Sequence, residues 1–258
     1  MFKKLLSVLL VLAMFAGSFM AMAEESDLHY VQGKGKLVIG YTVYEPMNYT
    51  DENGVFTGFD TELAMAVSEE LGLVPEFVEI NWETKEIELA AKSIDCIWNG
   101  LTINDERKAN MEITDAYLQN AQVVIMKTGS EYTDTSSLIG KTVVAEAGSA
   151  GETTVKEDAG LMQAEYIAKE VQTACLMEVA AGTADAAVLD LTLAKAMIGE
   201  GTNYANLIIV DSLAVEEYGV AFRKGSDLAQ AVNQAFEVLR QNGTLDELAQ
   251  KYDQNLAL

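Results

Sequence analysis

The chain has 258 residues, enough for one large domain or two modest ones, and sets 40 Asp and Glu against 17 Lys and Arg for a formal charge of −23. A surface this acidic repels nucleic acid and anionic lipid head groups, so neither is expected as a partner. With one histidine, no nucleophile elbow, and neither G-x-G-x-x-G nor Gly-Lys-Ser/Thr in the glycine-bearing turn over 145–154, neither a metal nor a cofactor is expected.

The first element is not part of a fold. Lys3 and Lys4 precede an apolar run from Leu5 to Ala16, and Ala21-Met22-Ala23 closes it in a small-x-small pattern. This predicts a secretory signal peptide over 1–23, cut before Glu24. The run is shorter than the ~20 apolar residues of a spanning helix. The expected product is a soluble exported protein, periplasmic or held outside near the cell surface, with its charge moved from −23 to −25 by the loss of Lys3 and Lys4. No cysteine lies near the cut, so lipid anchoring is not expected. Cys96 and Cys175 both sit in apolar runs and are expected to be buried free thiols.

After the leader, strand-like and helix-like segments alternate. "KLVIGY" (36–41) reads as a strand. "GFDTELAMAVSEELG" (58–72) reads as a helix capped by Asp60, with Leu63, Val67 and Leu71 on one face and Gly72 as its stop. Strands are predicted over 77–80, 94–98 and 121–127, and a helix over 85–92. The pattern then restarts: a strand and turn over 141–148, a helix over 173–182 and a strand over 184–190. Two separate strands follow at 205–210 and 218–225. The helix over 226–243 carries Leu228, Val232, Phe236 and Leu239 on one stripe and stops at Gly243, and 244–252 adds a last one. This alternation argues for an α/β architecture with largely parallel sheets. "KSIDCIWNG" and "GTADAAVLD" share one plan, a short apolar strand ending in a polar residue. Two similar half-domains would therefore face one cleft at their strand ends.

Several residues at those ends suit a small zwitterionic ligand. Gly100, Thr102 and Arg107, on a turn that opens a helix, fit a carboxylate clamp, because a guanidinium pairs both oxygens of a carboxylate. A surface Arg107 paired with Asp105 or Glu106 is the plainer alternative. Gly148, Ser149, Ala150 and Gly151 leave backbone N–H groups bare at a helix start, which attracts anions. Asp190 ends an apolar strand and needs a partner, either a backbone N–H of the next helix or an ammonium group. Tyr44 and Trp82, each in a loop after a strand, either stack on a ligand or pack on their own core. The acidic pairs at 24–25, 69–70 and 216–217 read as solvated faces.

In this order, "GKLVIGYTVYEPMNY", "GFD-x-x-LA", "G-x-T-x-x-x-ER", "GKTVVAEAGSAGE", "GTADAAVLD" and the C-terminal "NGT" segment resemble the extracellular solute-binding proteins of polar amino-acid ABC transporters, over roughly 33–253. The resemblance implies a two-lobed periplasmic-binding-protein fold (type II), each lobe a mainly parallel sheet flanked by helices, joined by a two-strand hinge. It implies lobes of 30–122 plus 213–258 and of 123–212. It implies that Arg107, Thr102 and the Ala150 N–H bind an α-carboxylate, that Asp190, Thr102 and the Gly100 carbonyl hold an α-ammonium, and that Tyr44 and Trp82 are aromatic walls. Side-chain choice would fall on Tyr41, Glu45, Asn99 and Glu146. If Glu146 faces the pocket, it favours a polar or basic L-amino acid over glutamate and aspartate, unless Lys85 or Lys141 neutralises it. The expected partners are an amino acid and the membrane permease of an ABC importer, with the carrier a monomer. An enzyme resembling cyclohexadienyl dehydratases, with Glu146 as general acid, is the alternative; a sensor domain finds no support in the chain.

Overall fold

The computed structural model describes residues 26–257, so the expected signal peptide over 1–23 lies outside the described residues. A helix α1 (Asp27–Lys34) comes first. It was not expected from sequence, and it is capped by Ser26 and tied to the sheet by the Arg223–Asp27 ion pair. The strand β1 (Lys36–Tyr41), the short hairpin β2 (Tyr49–Thr50) and β3 (Phe56–Thr57), the helix α2 (Phe59–Glu70) and the strand β4 (Val74–Glu79) follow. A single 3₁₀ turn at Trp82–Thr84 leads into α3 (Lys85–Ala90) and then β5 (Cys96–Thr102), α4 (Asp105–Asn110), β6 (Met111–Ile113) and β7 (Leu118–Lys127). The second half runs β8 (Thr142–Glu146), α5 (Ala150–Glu157), β9 (Glu165–Lys169), α6 (Gln172–Ala181), β10 (Ala186–Asp190) and α7 (Leu191–Met197). The chain then returns through β11 (Leu207–Arg223), α8 (Leu228–Gln241) and α9 (Thr244–Lys251).

The strands form one mixed sheet in the order β4-β1-β5-β11-β7-β10-β8-β9. Its outer thirds, β4-β1-β5 and β10-β8-β9, are each parallel. The long strands β7 and β11 run antiparallel between them. Every residue of β5 and of β10 is buried, the mark of strands covered on both faces. Separate apolar cores form on either side of the crossing strands, one around Trp82, Ile94, Ile97 and Leu101, the other around Val124, Val143, Val155 and Val188. A third spans both sides and takes in Phe236 and Leu239 of α8, as the predicted stripe requires. Both cysteines are buried and free.

Three expectations change. The segments 205–210 and 218–225 are one strand of 17 residues, because the polar stretch between them pairs with β7 throughout and absorbs its irregularity in two register shifts. Strand β5 runs on to Thr102 through antiparallel pairing of Tyr218 with Thr102 and Gly219 with Leu101, so Asn99, Gly100 and Thr102 are strand residues, not turn residues. Asp60 does not cap α2: it is fully buried and accepts hydrogen bonds from the Gly100 N–H at 2.7 Å and the Tyr117 hydroxyl at 2.8 Å.

Candidate functional site

The carboxyl ends of β5, β8 and β10 and the N-termini of α4 and α5 converge on a cavity lined by Trp82, Asn99, Gly100, Thr102, Arg107 and Glu146, with Ser149, Ala150, Gln172 and Asp190 completing its wall. It is nearly closed, with about 10 Å³ open to the centre of a water molecule. A larger cleft of about 570 Å³ lies among Lys127, Tyr132, Lys141 and Asp185, but it is an open groove without the buried charges that mark the smaller one.

Arg107 is buried, which removes the surface alternative. Asn104 caps its helix, accepting from the Arg107 N–H at 2.8 Å. The guanidinium donates to the Thr102 carbonyl at 2.7 Å and, across the cleft, to the Gly148 carbonyl at 3.2 Å. Burial lowers its pKa, with Glu216 and Asp190 opposing. Lys85 points at the same carbonyl from α3: its Nζ donates to Gly148 at 2.9 Å and to the Trp82 carbonyl at 3.0 Å, and lies 4.7 Å from the Trp82 ring centre. Burial and the neighbouring Arg107 bring Lys85 down to about 8. Only an N–H-rich, cation-lined corner remains beside Ala150, whose amide, as the first of α5, has no intrahelical partner. The Ser149 hydroxyl accepts from Glu152 N–H as the cap of α5.

Asp190 opens α7 by position but makes no cap. Its carboxylate is held by three amides instead: Asn120 at 2.8 Å and Gln122 at 2.6 Å, both on β7, and Gln172 on α6. Glu146 faces the cavity and is 4% exposed. Burial first, then Asp190, pushes it up to about 8 against the opposing pull of Lys85, Gln172 and Arg107. Lys141, the other candidate to neutralise it, lines the distant groove.

Gly100 sits where no side chain fits. Its φ is +59°, and a Cβ there would lie 2.8 Å from Tyr44 and 3.0 Å from Tyr218. Tyr44 is therefore behind Gly100 and outside the lining: it is buried, with its hydroxyl 2.7 Å from that of Tyr218. Trp82 lines the cavity and joins a core cluster as well. Asn99 lines it too, but its amide is engaged with Thr42 and Asn48. Tyr41 and Glu45 do not line the cavity. The Tyr41 ring packs on Phe56 and Phe77 at 4.8 and 6.3 Å, and Glu45 lies in the turn before Pro46. Lys85, expected only as a candidate neutraliser of Glu146, does oppose the rise of that residue's pKa. Asn120, Gln122, Gln172 and Glu216 were not expected here; for those on β7 and β11 the signal was alternation along strands whose pairing the sequence does not state.

A cleft between two half-sheets, walled by a buried arginine on one side and a buried aspartate on the other, fits the family whose profile matches residues 37–255. The chain belongs to the bacterial extracellular solute-binding proteins, family 3. It is 28% identical to the L-cystine-binding protein TcyJ of Escherichia coli (strain K12), over 96% of this chain and 92% of that one. It is 29% identical to the arginine-binding extracellular protein ArtP of Bacillus subtilis (strain 168), over 85% and 87%. The crystal structure of Tv2483 bound to L-arginine superimposes with a TM-score of 0.83 at 26% identity, covering 89% of this chain and 96% of that one. This solute-binding protein thus has the mixed α/β, two-lobed fold of amino-acid-binding relatives. Among its described residues no helix is long and apolar enough to cross a membrane, and no three His, Cys, Asp or Glu side chains converge as metal ligands.

Proposed function

We propose that this protein binds an L-amino acid, polar or basic in preference, in the cleft between its lobes and delivers it to the permease of an ABC importer. The observation that carries the reading is the opposition of Arg107 and Asp190 in one buried cavity, with Glu146 beside them. Arg107, Thr102 and the Ala150 N–H take the α-carboxylate; Asp190, Thr102 and the Gly100 carbonyl take the α-ammonium; Glu146 meets the side chain, with Trp82 as its apolar wall. The lobes, 30–122 plus 213–258 and 123–212, turn about the crossing of β7 and β11. They part to admit the ligand, since the closed cavity holds about one water. A ligand touching both lobes favours the closed state by its differential affinity. The protein acts outside the cytoplasmic membrane as a monomer.

A thermal-shift screen against the twenty L-amino acids, cystine, ornithine and prephenate tests this. A ligand at ~100 times its dissociation constant adds about 2.7 kcal/mol, and one or a few amino acids should raise the melting temperature. One observation favours a second reading: Glu146, held protonated near neutral pH, has the state a general acid needs. Consumption of prephenate with no response to any amino acid would replace the carrier by a dehydratase.

A further inference from the structure

The acidic pair at 216–217 does not form the solvated face expected from its sequence. Strand alternation turns Glu217 outward, whereas Glu216 is half-buried and turned toward Thr102, Asn120 and Gln122 beside the cavity. In the register of the sheet Glu216 lies opposite Asn120, Asp190 opposite Gln122, and Tyr218 opposite Thr102. Thr102, Glu216, Asn120, Gln122 and Asp190 thus meet where the two crossing strands run, with Thr102 and Asp190 on the cavity wall and the other three directly behind them.

One oxygen of Glu216 accepts from the Thr102 hydroxyl at 2.9 Å, the Asn120 amide at 2.7 Å and the Gln122 amide at 2.9 Å. The same two amides donate to Asp190. Two carboxylates are therefore bridged by shared donors, with no cation between them. None of the ion pairs among the described residues involves Glu146, Asp190 or Glu216. Lys85 and Arg107, the two cations of the site, direct their donors to the carbonyls of Trp82, Thr102 and Gly148. Were all three carboxylates ionised, they would face two buried cations and leave one negative charge uncompensated, which is costly away from water; the free cleft relieves this by keeping protons. A neutral amino acid adds a carboxylate and an ammonium and leaves that charge in place. An amino acid with a second positive group cancels it.

We infer that Glu216 is a specificity-determining residue of the cleft, pairing with Asp190 to select amino acids that carry a second ammonium or a guanidinium over neutral ones. The inference rests on the amino-acid-binding reading above and names the residue that sets the ligand's charge. Thr102 sits within hydrogen-bond reach of Glu216 and on the cavity wall at once, so a ligand held by Thr102 feels the Glu216 charge at close range. The groups facing Glu216 are Asp190 from β10, Arg107 from α4 and the Tyr44 and Tyr218 hydroxyls; Glu146 and Lys85 complete the charged set. Burial, then Asp190, pushes Glu216 up to about 7. In the free cleft a proton stands where the ligand's extra charge belongs, and a cationic ligand displaces it.

The test is titration calorimetry of the mature protein with L-arginine, L-lysine, L-ornithine and L-glutamine, for the wild type, Glu216→Gln, Glu216→Asp and the control Glu217→Gln. Glu216→Gln keeps an acceptor oxygen and removes the charge. It should lower the preference for cationic ligands over glutamine by about 10-fold, the weak end of one close charge–charge interaction, while glutamine affinity holds. Glu216→Asp should retain the preference, and Glu217→Gln should leave it untouched. Independently of any variant, wild-type binding of L-arginine in buffers of different ionisation enthalpy should release protons, and binding of glutamine fewer. An unchanged preference in Glu216→Gln, or an equal loss for all ligands, overturns the role of Glu216 while amino-acid binding stands. Equal proton release for arginine and glutamine overturns it too. A wild type that binds no amino acid refutes the underlying reading and this inference with it.

Discussion

The two sides of the cleft are built on opposite electrostatic terms. On the β5 side Asn99 is matched by Thr42 and Asn48, the Gly100 N–H by Asp60, and the Tyr44 hydroxyl by that of Tyr218. On the β8, β10 and β11 side Asp190 and Glu216 share amide donors, and neither they nor Glu146 has an ion-pair partner among the described residues. Those β5-side groups are paired within the fold. The second side carries carboxylates without a cation partner, which under the inference above a cationic ligand would supply. Stability and specificity are thereby carried by different walls, a separation that substitutions can expose.

The largest expected effect on binding is from Arg107→Ala, which removes the one guanidinium in the site. Truncating a buried charge partner costs about 2–5 kcal/mol, so amino-acid affinity by calorimetry should fall about 100-fold or more with the melting temperature of the free protein little lowered. For Gly100, on the same side, the order reverses. Gly100→Ala puts a Cβ 2.8 Å from the Tyr44 ring at a positive φ. It should destabilise the free protein by about 1–3 kcal/mol, read by denaturant melts. If Gly100→Ala spared stability, the idea that this wall is rigidly packed would fail.

The pH dependence sharpens the contrast. Glu146 and Glu216 keep protons in the folded cleft, to about 8 and about 7, where an unfolded carboxyl has lost them. The folded state then binds more protons, so stability falls as pH rises from the ordinary carboxylate range to about 8. Asp60, buried and raised to about 7, adds to the same slope from the other wall. The melting temperature of the free protein should drop across this window, and Glu146→Gln should flatten part of the drop. The smallest effect is expected from Gly148→Ala. Its φ is +71°, and a Cβ would stand 3.1 Å from Glu83 Cα and 3.3 Å from Lys85 Nζ. It disturbs the carbonyl that both cations grip across the cleft, and should raise the dissociation constant a few-fold, about 1 kcal/mol.

Much of this was legible in the chain. Periodicity located β1, α2, β8, β10 and α8, because each shows its own buried stripe or apolar run. Arg107, Thr102, Gly100, Glu146 and Asp190 stood out as polar residues after apolar strands, and the structure brings them to one cavity. Tyr44 was misjudged: an aromatic after a strand reads the same whether it faces a ligand or fills a core, and only the Tyr218 hydroxyl, 174 residues away, decides between them. Glu216 was missed for the same reason, since two adjacent glutamates in a strand point to opposite faces and the sequence does not say which face is covered.

By itself, the sequence determined the α/β class, the membership of a solute-binding family and the charged residues at strand ends, because these depend on local periodicity and on motifs contiguous in the chain. Only the tertiary structure decided that Asp190 is held by side-chain amides rather than capping a helix, that Lys85 and Arg107 meet on one carbonyl, and that Glu216 joins Thr102, Asn120 and Gln122 beside the cavity. The first and last of these depend on the register of β11 against β5 and of β7 against β10 and β11, which brings together residues up to 114 positions apart through pairings that no local pattern encodes.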